Sequence, residues 1–328
     1  MPLYPLTFEP IFKSMLWGGR RLPEFLGQEP PHADPIGEAW VLSDVDGSLS
    51  PVTVGAHAGK TLRDLASLYP QELFGNRIPN DGKFPLLLKF IDARQELSVQ
   101  VHPDDELALQ LAGEGKRGKT EAWVILDRDP ATSRIYAGFR DGTTAESFRT
   151  AMSEKTTPAT LHQFTPNAGD CVFLRAGTVH AIGANILLFE VQQTSDITYR
   201  LYDWDRVDAK TGKSRDLHVD HGLTCSNFAA GPCHPVTPDR HSHKPSESLV
   251  DCEHFTLARH CDDKPFHVGA KGECRAVVTV EGEGDLIWND HTSKLQAGSV
   301  ILLPAMVGEC TIAPRGGPIT VLECGLGS

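Results

Sequence analysis

The sequence has no segment suited to crossing a membrane. Its longest apolar stretches, such as residues 186–191 and 300–307, are far shorter than the roughly 18 residues that a transmembrane helix needs. The segment 1–15 contains no basic region followed by an apolar one, so no secretory signal is predicted. We therefore expect no membrane association and a cytoplasmic location.

Positive charge and paired cysteines are also scarce. Lys and Arg number 31 against 43 Asp and Glu, and this net charge of −12 disfavours binding to a nucleic acid. The eight cysteines are scattered without a CxxC pair. Such scattering is typical of free thiols in a reducing compartment rather than of a disulfide framework.

What the sequence does contain predicts a globular protein built mainly from β-strands. A length of 328 residues indicates about two domains. The 30 Gly and 23 Pro interrupt many short apolar runs, which is typical of an all-β barrel or sandwich. Strands are predicted over residues 85–92, 96–101, 121–127, 134–139, 170–175, 186–192 and 198–204, and helices over 61–73, 104–112 and 144–152.

A change in composition marks the predicted domain boundary. Residues 231–248 are poor in large apolar side chains and rich in Pro, His and Ser. We expect a first domain over 1–235, a linker over 236–246 and a smaller β domain over 247–328. Because the strands of the smaller domain carry no paired His ligands, we expect it to bind no metal and to serve stability.

The richest group of ligand-type residues lies in the segment ELSVQVHPDDE, residues 96–106. Because side chains alternate along a strand, Ser98, Gln100 and His102 are expected to share one face. The residues that alternate with them are expected to pack on the other face: Leu97, Val99 and Val101. Two of the three residues on the first face, Gln100 and His102, can bind a metal.

Two further segments carry groups of the same kind. In GKTEAW, Lys119 and Glu121 share a face by the same alternation. Residues 169–185 are expected to form a strand, a glycine turn and a return strand that carries His180. One His or Glu in a strand is usually an ordinary core or surface residue, so only their combination indicates a metal site.

The combination resembles the two-part signature of the cupins, with Gln100 in place of the first His and Arg175 in place of the usual Pro. More narrowly, QxHPDD, GKTEAW, AGTVHAIG and TYRLYDWDR resemble the type I mannose-6-phosphate isomerase family in its short bacterial form. FEPIFKSMLWGG, GEAWVLS and FPLLLKFIDA fit the same family. The resemblance covers about residues 10–215 and implies a mainly β fold, with two cupin-like jelly-roll barrels and a few helices inserted in or flanking the first.

The same resemblance implies one divalent ion per chain, usually zinc. Its ligands at the matching positions are Gln100, His102, Glu121 and His180. His nitrogens and a carboxylate oxygen suit zinc, and a neutral Gln leaves the site with a net positive charge. A more electrophilic ion polarises a sugar carbonyl or hydroxyl better.

The family interconverts mannose 6-phosphate and fructose 6-phosphate through an enediol. This chemistry needs a base to move a proton between C2 and C1, and an electrophile to stabilise the oxyanion. Family positions imply Arg200 and the metal as the electrophile, and either Lys119 or Glu190 as the base. Arg200 is expected to share one strand face with Tyr202, Trp204 and Arg206. The implied substrate contacts, including cations for the phosphate, are Trp17, Glu38, Lys89, Ser98, Asp196 and Arg206.

Two other functions fit the same residues less fully. A non-catalytic cupin that senses sugar phosphates would keep the pocket. An iron-dependent cupin oxidoreductase would need only three nitrogen or carboxylate ligands with open positions. The presence of Arg200, Lys119 and the YDWDR segment favours the isomerase over both.

Overall fold

The structure, a computed structural model, describes residues 2–208, 211–238 and 245–327. The predicted mainly β fold is confirmed. The strands are β1 Ile11–Gly19, β2 Ile36–Leu42, β3 Asp44–Val45, β4 Ser48–Leu49, β5 Leu86–Ala93, β6 Val99–Val101, β7 Glu121–Arg128, β8 Ile135–Phe139, β9 Leu161–Phe164, β10 Cys171–Leu174, β11 His180–Ile182, β12 Ile186–Gln193, β13 Tyr199–Tyr202, β14 Ser246–Asp251, β15 Phe255–Asp262, β16 Phe266–Val268, β17 Arg275–Trp288, β18 His291–Gln296, β19 Val300–Leu303 and β20 Cys310–Leu326. The α-helices are α1 Arg21–Phe25, α2 Leu62–Leu68, α3 Pro70–Phe74, α4 Asp105–Ala112, α5 Ala145–Ser153 and α6 Val219–Cys225, and a 3₁₀ helix covers Thr157–Thr160.

Two antiparallel sheets pack face to face in the N-terminal part of the chain. Among the described strands, one sheet has the order β1-β2-β5-β12-β7-β10 and the other β13-β6-β11-β8-β9. Alternate residues of both sheets form the core between them, such as Ile91 and Trp123 from the first sheet and Ile135 and Ile182 from the second. Every residue of β5 and β12 is buried, which means that the first sheet is covered on both faces.

The C-terminal part of the chain covers the outer face of the first sheet. Its strands form a third sheet in the order β14-β15-β20-β17-β18, with β16 paired to β20 and β19 to β17. Phe189 of β12 belongs to the same buried apolar cluster as Phe255 and Leu322 of the third sheet. Leu6 and Leu302 exchange two backbone hydrogen bonds of 2.8 Å. The hydrophobic core therefore continues from the first sheet into the third.

The predicted linker falls partly outside the described residues, because 239–244 are not described. The third sheet begins at Ser246, the last residue of that predicted linker. The proposed domain boundaries and the division into two barrels stay predictions.

Among the described helices, α2, α4 and α5 begin at side-chain caps. Thr61 and Asp64 form a reciprocal capping box at α2, and Thr144 forms another at α5. The predicted helix over 61–73 is wrong in one respect, since it is divided at Tyr69 into α2 and α3. Pro70 explains the break, because proline disfavours helical conformation in the residue before it and has no N–H to continue the helix.

The strand predicted over 198–204 is shorter than expected and ends at Tyr202. Its pairing with β6 shifts between Arg200 and Tyr202, and Trp204 and Asp205 adopt positive φ angles of 55° and 53°. The chain therefore turns, and the expected common face of Arg200, Tyr202, Trp204 and Arg206 is wrong.

All eight cysteines are free, as expected. In the described ranges, no helix is long and apolar enough to cross a membrane.

Candidate active site

Two rows of paired residues face each other between the first and second sheets. In the first sheet, Lys89 of β5 lies directly opposite Glu190 of β12. In the second sheet, Gln100 of β6 is paired with His180 of β11 on one side and with Arg200 of β13 on the other. Because strand side chains alternate in direction, each of these strands directs the named residue toward the space between the sheets.

The space between the rows opens into a cavity of about 350 Å³. Leu97 also lines it, so the expected packing of Leu97 on the face opposite Ser98 is wrong; Leu97 precedes β6 and does not follow the alternation of that strand. Most of the residues predicted as catalytic or substrate-binding line the cavity, together with one predicted metal ligand: Trp17, Glu38, Lys89, Ser98, Lys119, Glu190, Asp196, Arg200 and Gln100.

Arg206 has a different position from the one that the sequence predicts. It is absent from the described residues that line the cavity. Its Nη2 donates to the carbonyl oxygen of Glu96, and its Nη1 lies 3.8 Å from Asp203 Oδ1. Arg215 lines the cavity instead. The sequence contains no signal for this residue, because it follows a turn and belongs to no periodic segment.

The candidate metal cluster consists of His102, Glu121 and His180. It adjoins Gln100, which lines the cavity, whereas the three cluster residues are not among the described residues of the lining. Potential ligand atoms of the three side chains all lie within 4.8 Å of one another. His180 Nε2 is 3.3 Å from Glu121 Oε1, and His102 Nε2 is 3.6 Å from Glu121 Oε2. The Gln100 amide is 3.3 Å from His180 Nε2, and a half-turn of that amide exchanges its nitrogen and oxygen. The order of ligands predicted from the sequence thus becomes one cluster in space.

The two histidine rings are oriented by backbone carbonyls. His102 Nδ1 is 2.9 Å from the carbonyl oxygen of Ile197, and His180 Nδ1 is 2.8 Å from that of Thr178. Because a carbonyl oxygen only accepts, each Nδ1 carries the proton and each Nε2 keeps its lone pair. Burial lowers the pKa of His180 to about 4 and, with the charge of Lys119, lowers that of His102. Both rings are therefore neutral, as metal ligation requires.

The cluster fits a divalent cation. His102 Nε2 and Glu121 Oε1 are buried without a hydrogen-bond partner in the part of the chain that the structure describes. Orphaned buried acceptors are costly, and an ion between two neutral imidazoles and a carboxylate would satisfy them. Two imidazoles and a carboxylate form a donor set that zinc commonly takes in proteins.

Two lysines lie among the carboxylates of the site. Lys119 Nζ is 2.9 Å from Glu121 Oε2 and 3.7 Å from Glu190 Oε1, and Lys89 Nζ is 3.1 Å from the same Glu190 oxygen. Trp123 Nε1 donates to Glu190 Oε2 at 2.9 Å. Burial alone favours the neutral acid, but Lys89 and Lys119 hold the pKa of Glu190 below its usual range. Burial and the charge of Glu190 raise the pKa of Glu121.

The facing sheets, with a buried cluster of two His and one Glu between them, define a protein of the cupin class with a candidate metal site. Residues 6–122 match the family model for the catalytic domain of type I phosphomannose isomerase. The chain is 35% identical over 316 residues to mannose-6-phosphate isomerase ManA of Bacillus subtilis (strain 168), covering 94% of this chain and 96% of the relative. It is 37% identical over 302 residues to the mannose-6-phosphate isomerase of Streptococcus mutans, covering 92% of each chain.

A solved structure agrees with these relatives. The crystal structure of the mannose 6-phosphate isomerase from Bacillus subtilis matches with a TM-score of 0.87 at 29% identity, covering 98% of this chain and 99% of that one. The chain belongs to the type I phosphomannose isomerase family, and the family predicted from its motifs is confirmed.

Proposed function

We propose that the protein is a metal-dependent aldose–ketose isomerase that interconverts mannose 6-phosphate and fructose 6-phosphate. One observation carries the proposal: a buried cluster of metal-type ligands adjoins a cavity whose lining holds Lys119, Glu190 and Arg200. The relatives named above are mannose-6-phosphate isomerases, which supports the choice of substrate.

The cluster and Gln100 are proposed to hold one zinc ion. The two imidazole nitrogens, the Glu121 carboxylate and the Gln100 amide oxygen would supply four ligands. When bound, zinc polarises a carbonyl or hydroxyl group of the sugar. With one carboxylate among four ligands, the site would keep a net positive charge.

Glu190 is proposed as the base that carries the proton between C2 and C1. Lys89 and Lys119 stabilise its ionised form inside the cavity, so it is available to accept a proton. Lys119 is the alternative base, but its ammonium group is also 2.9 Å from the proposed ligand Glu121. This contact supports a role for Lys119 in holding the two carboxylates together.

Arg200 is proposed to stabilise the enediolate oxygen. It is paired with the proposed ligand Gln100 in the second sheet, and both residues line the cavity. A fixed cation that meets negative charge only as the enediolate forms lowers the barrier more than it strengthens substrate binding.

The remaining lining residues are proposed to bind the sugar. Glu38 is fixed by Trp40, whose Nε1 donates to Glu38 Oε2 at 2.6 Å, and by Lys89, whose Nζ is 3.6 Å from the same oxygen. Further proposed contacts are Trp17, Ser98 and Asp196. Arg206 is left out of the proposed contacts because its guanidinium is directed at Glu96 and Asp203.

A coupled assay for fructose 6-phosphate tests the function. Purified protein should convert mannose 6-phosphate, lose activity when EDTA removes the metal, and regain it with added zinc. Glucose 6-phosphate and unphosphorylated mannose serve as matched substrate controls. Binding of mannose 6-phosphate without conversion would indicate a sensor, and iron-dependent oxygen consumption would indicate the oxidoreductase. The expected cytoplasmic location stays a prediction.

A further inference from the structure

Arg215 lies beyond Arg200 in the direction that leads away from the candidate metal cluster. His180, Gln100 and Arg200 are successive partners across β11, β6 and β13. On the outer side of β13, His218 N donates to the carbonyl oxygen of Arg200 at 2.7 Å. Each step across a sheet is about 4.8 Å, so the segment that carries Arg215 is one step farther from His180 than Arg200 is.

A buried carboxylate holds the Arg215 guanidinium in a fixed orientation. Arg215 Nε donates to Asp203 Oδ2 at 2.8 Å, and Arg215 Nη2 donates to Asp203 Oδ1. Asp203 is only 5% exposed. Arg215 Nη1 has no hydrogen bond to any described residue, and Arg215 lines the cavity. This two-point contact leaves one edge of the guanidinium free to bind a ligand.

The cations that line the cavity differ in how they are neutralised. Lys89 and Lys119 each contact carboxylates at the end near the metal cluster. Arg200, by contrast, has no carboxylate within ion-pair distance among the residues that the structure describes. Its Nη1 donates to the carbonyl oxygen of Asp216 at 2.9 Å, and its Nε is buried without a partner. Burial and the neighbouring charge of Arg215 lower the pKa of Arg200. Arg215 is therefore paired with Asp203, whereas the neighbouring Arg200 has no direct carboxylate partner among the described residues.

We propose that Arg215, oriented by Asp203, binds the phosphate group of the substrate at the end of the cavity away from the metal cluster. This inference rests on the proposed function, since it assigns the residue that binds the phosphate group of the same substrate. In a hexose 6-phosphate, the reacting C1 and C2 lie at one end and the phosphate at the other. With C1 and C2 beside the metal cluster and Arg200, the phosphate reaches the free edge of Arg215. The planar fork of arginine matches phosphate oxygens, and Asp203 acts as the positioning residue.

Two variants test the assignment on the metal-loaded full-length protein. Arg215→Gln removes the charge, whereas Arg215→Lys keeps the charge but loses the fork. Because a charge-assisted hydrogen bond is lost from both ground state and transition state, KM for mannose 6-phosphate should rise about 10- to 100-fold in Arg215→Gln with kcat little changed. Arg215→Lys should show a smaller rise. Arg21→Gln is the matched control, since Arg21 also contacts a buried aspartate, Asp92, but lies outside the cavity lining.

A second readout does not depend on catalysis. Inorganic phosphate should raise the thermal unfolding temperature of the wild-type protein and of Arg21→Gln, but not that of Arg215→Gln. If wild-type protein shows this protection but no isomerase activity, the proposed function fails while the anion site at Arg215 stands. Unchanged KM and unchanged phosphate protection in Arg215→Gln would overturn the assignment, as would a larger KM effect in Arg206→Gln. If Arg215→Gln does not fold, the test depends on Arg215→Lys. A normal KM and normal phosphate protection in that variant would show that the planar guanidinium is not needed, and would count against the assignment.

Discussion

Glu190 Oε1 lies 3.1 Å from Lys89 Nζ, and the two residues are directly opposite each other on the antiparallel strands β12 and β5. Both side chains are almost completely buried. Burial opposes the charge on Lys89, but Glu190 and Glu38 raise its pKa above the usual range. The sheet register therefore places an ionised carboxylate in the cavity with its counter-ion already present.

The first prediction concerns the base. Glu190→Gln preserves the size of the side chain but removes the proton acceptor, so kcat should fall by about 10²- to 10⁴-fold. Exchange of the transferred hydrogen with deuterated solvent, followed by NMR of the sugar, should also be lost. Lys119→Met is the comparison. Retained exchange in Glu190→Gln together with lost exchange in Lys119→Met would make Lys119 the base.

The second prediction concerns metal binding. His180→Ala removes one of the two imidazoles that contact Glu121, so the purified variant should hold much less metal than the wild-type protein. Elemental analysis after dialysis measures the metal content per chain. His267→Ala, which alters an exposed histidine, should leave it unchanged. An unaltered metal content in His180→Ala would remove this residue from the ligand set.

The third prediction concerns Arg200. If its guanidinium stabilises the enediolate, Arg200→Ala should lower kcat by about 10²- to 10³-fold, with a smaller change in KM. Arg200→Lys should recover only part of the activity, because a point charge does not reproduce the planar fork. Metal content should be intact in both variants. A rise in KM with near-normal kcat would instead place the phosphate on Arg200.

The fourth prediction concerns the C-terminal sheet. Leu322 is fully buried in the core that this sheet shares with the first sheet, so Leu322→Ala should destabilise the protein by about 2–5 kcal/mol. Ile287→Ala, at a partly exposed position of β17, should cost much less. Urea-induced unfolding compares the two.

The whole C-terminal sheet contributes to stability through the core that it shares with the first sheet. A chain that ends at Pro235 should be insoluble or unstable, because it leaves the outer face of the first sheet uncovered. A stable and active truncated protein would show that the C-terminal sheet is dispensable.

Local patterns in the sequence were sufficient to predict which side chains share a face in two of the segments that carry the site. The alternation of Gln100 and His102, and of Lys119 and Glu121, predicted that each pair shares a face. The structure places Gln100 and Lys119 in the cavity lining, and His102 and Glu121 in the cluster behind it. The period of two is a property of the extended backbone itself, so it can be recognised without knowledge of the partner strands.

Local patterns did not predict that the ligands lie close to one another. His180 comes 80 residues after Gln100, yet their strands are adjacent. The amide nitrogen of Gln100 lies 3.3 Å from His180 Nε2. Only the resemblance to the family predicted that these residues belong to one ligand set. Strand pairing of this kind depends on the packing of whole sheets, and no local period records it.

Arg206 and Arg215 show most clearly which features the sequence determined and which the tertiary structure decided. The sequence by itself determined that the chain is mainly β and that strand parity groups the ligand-type residues. The family resemblance indicated Arg206 as a substrate contact, and no sequence pattern indicated Arg215. Which of the two guanidiniums lines the cavity was decided by the turn at Trp204 and by the return of the following segment along β13, where Asp203 fixes Arg215. A backbone reversal and a long-range ion pair are set by tertiary contacts, and for that reason this choice belongs to the folded structure alone.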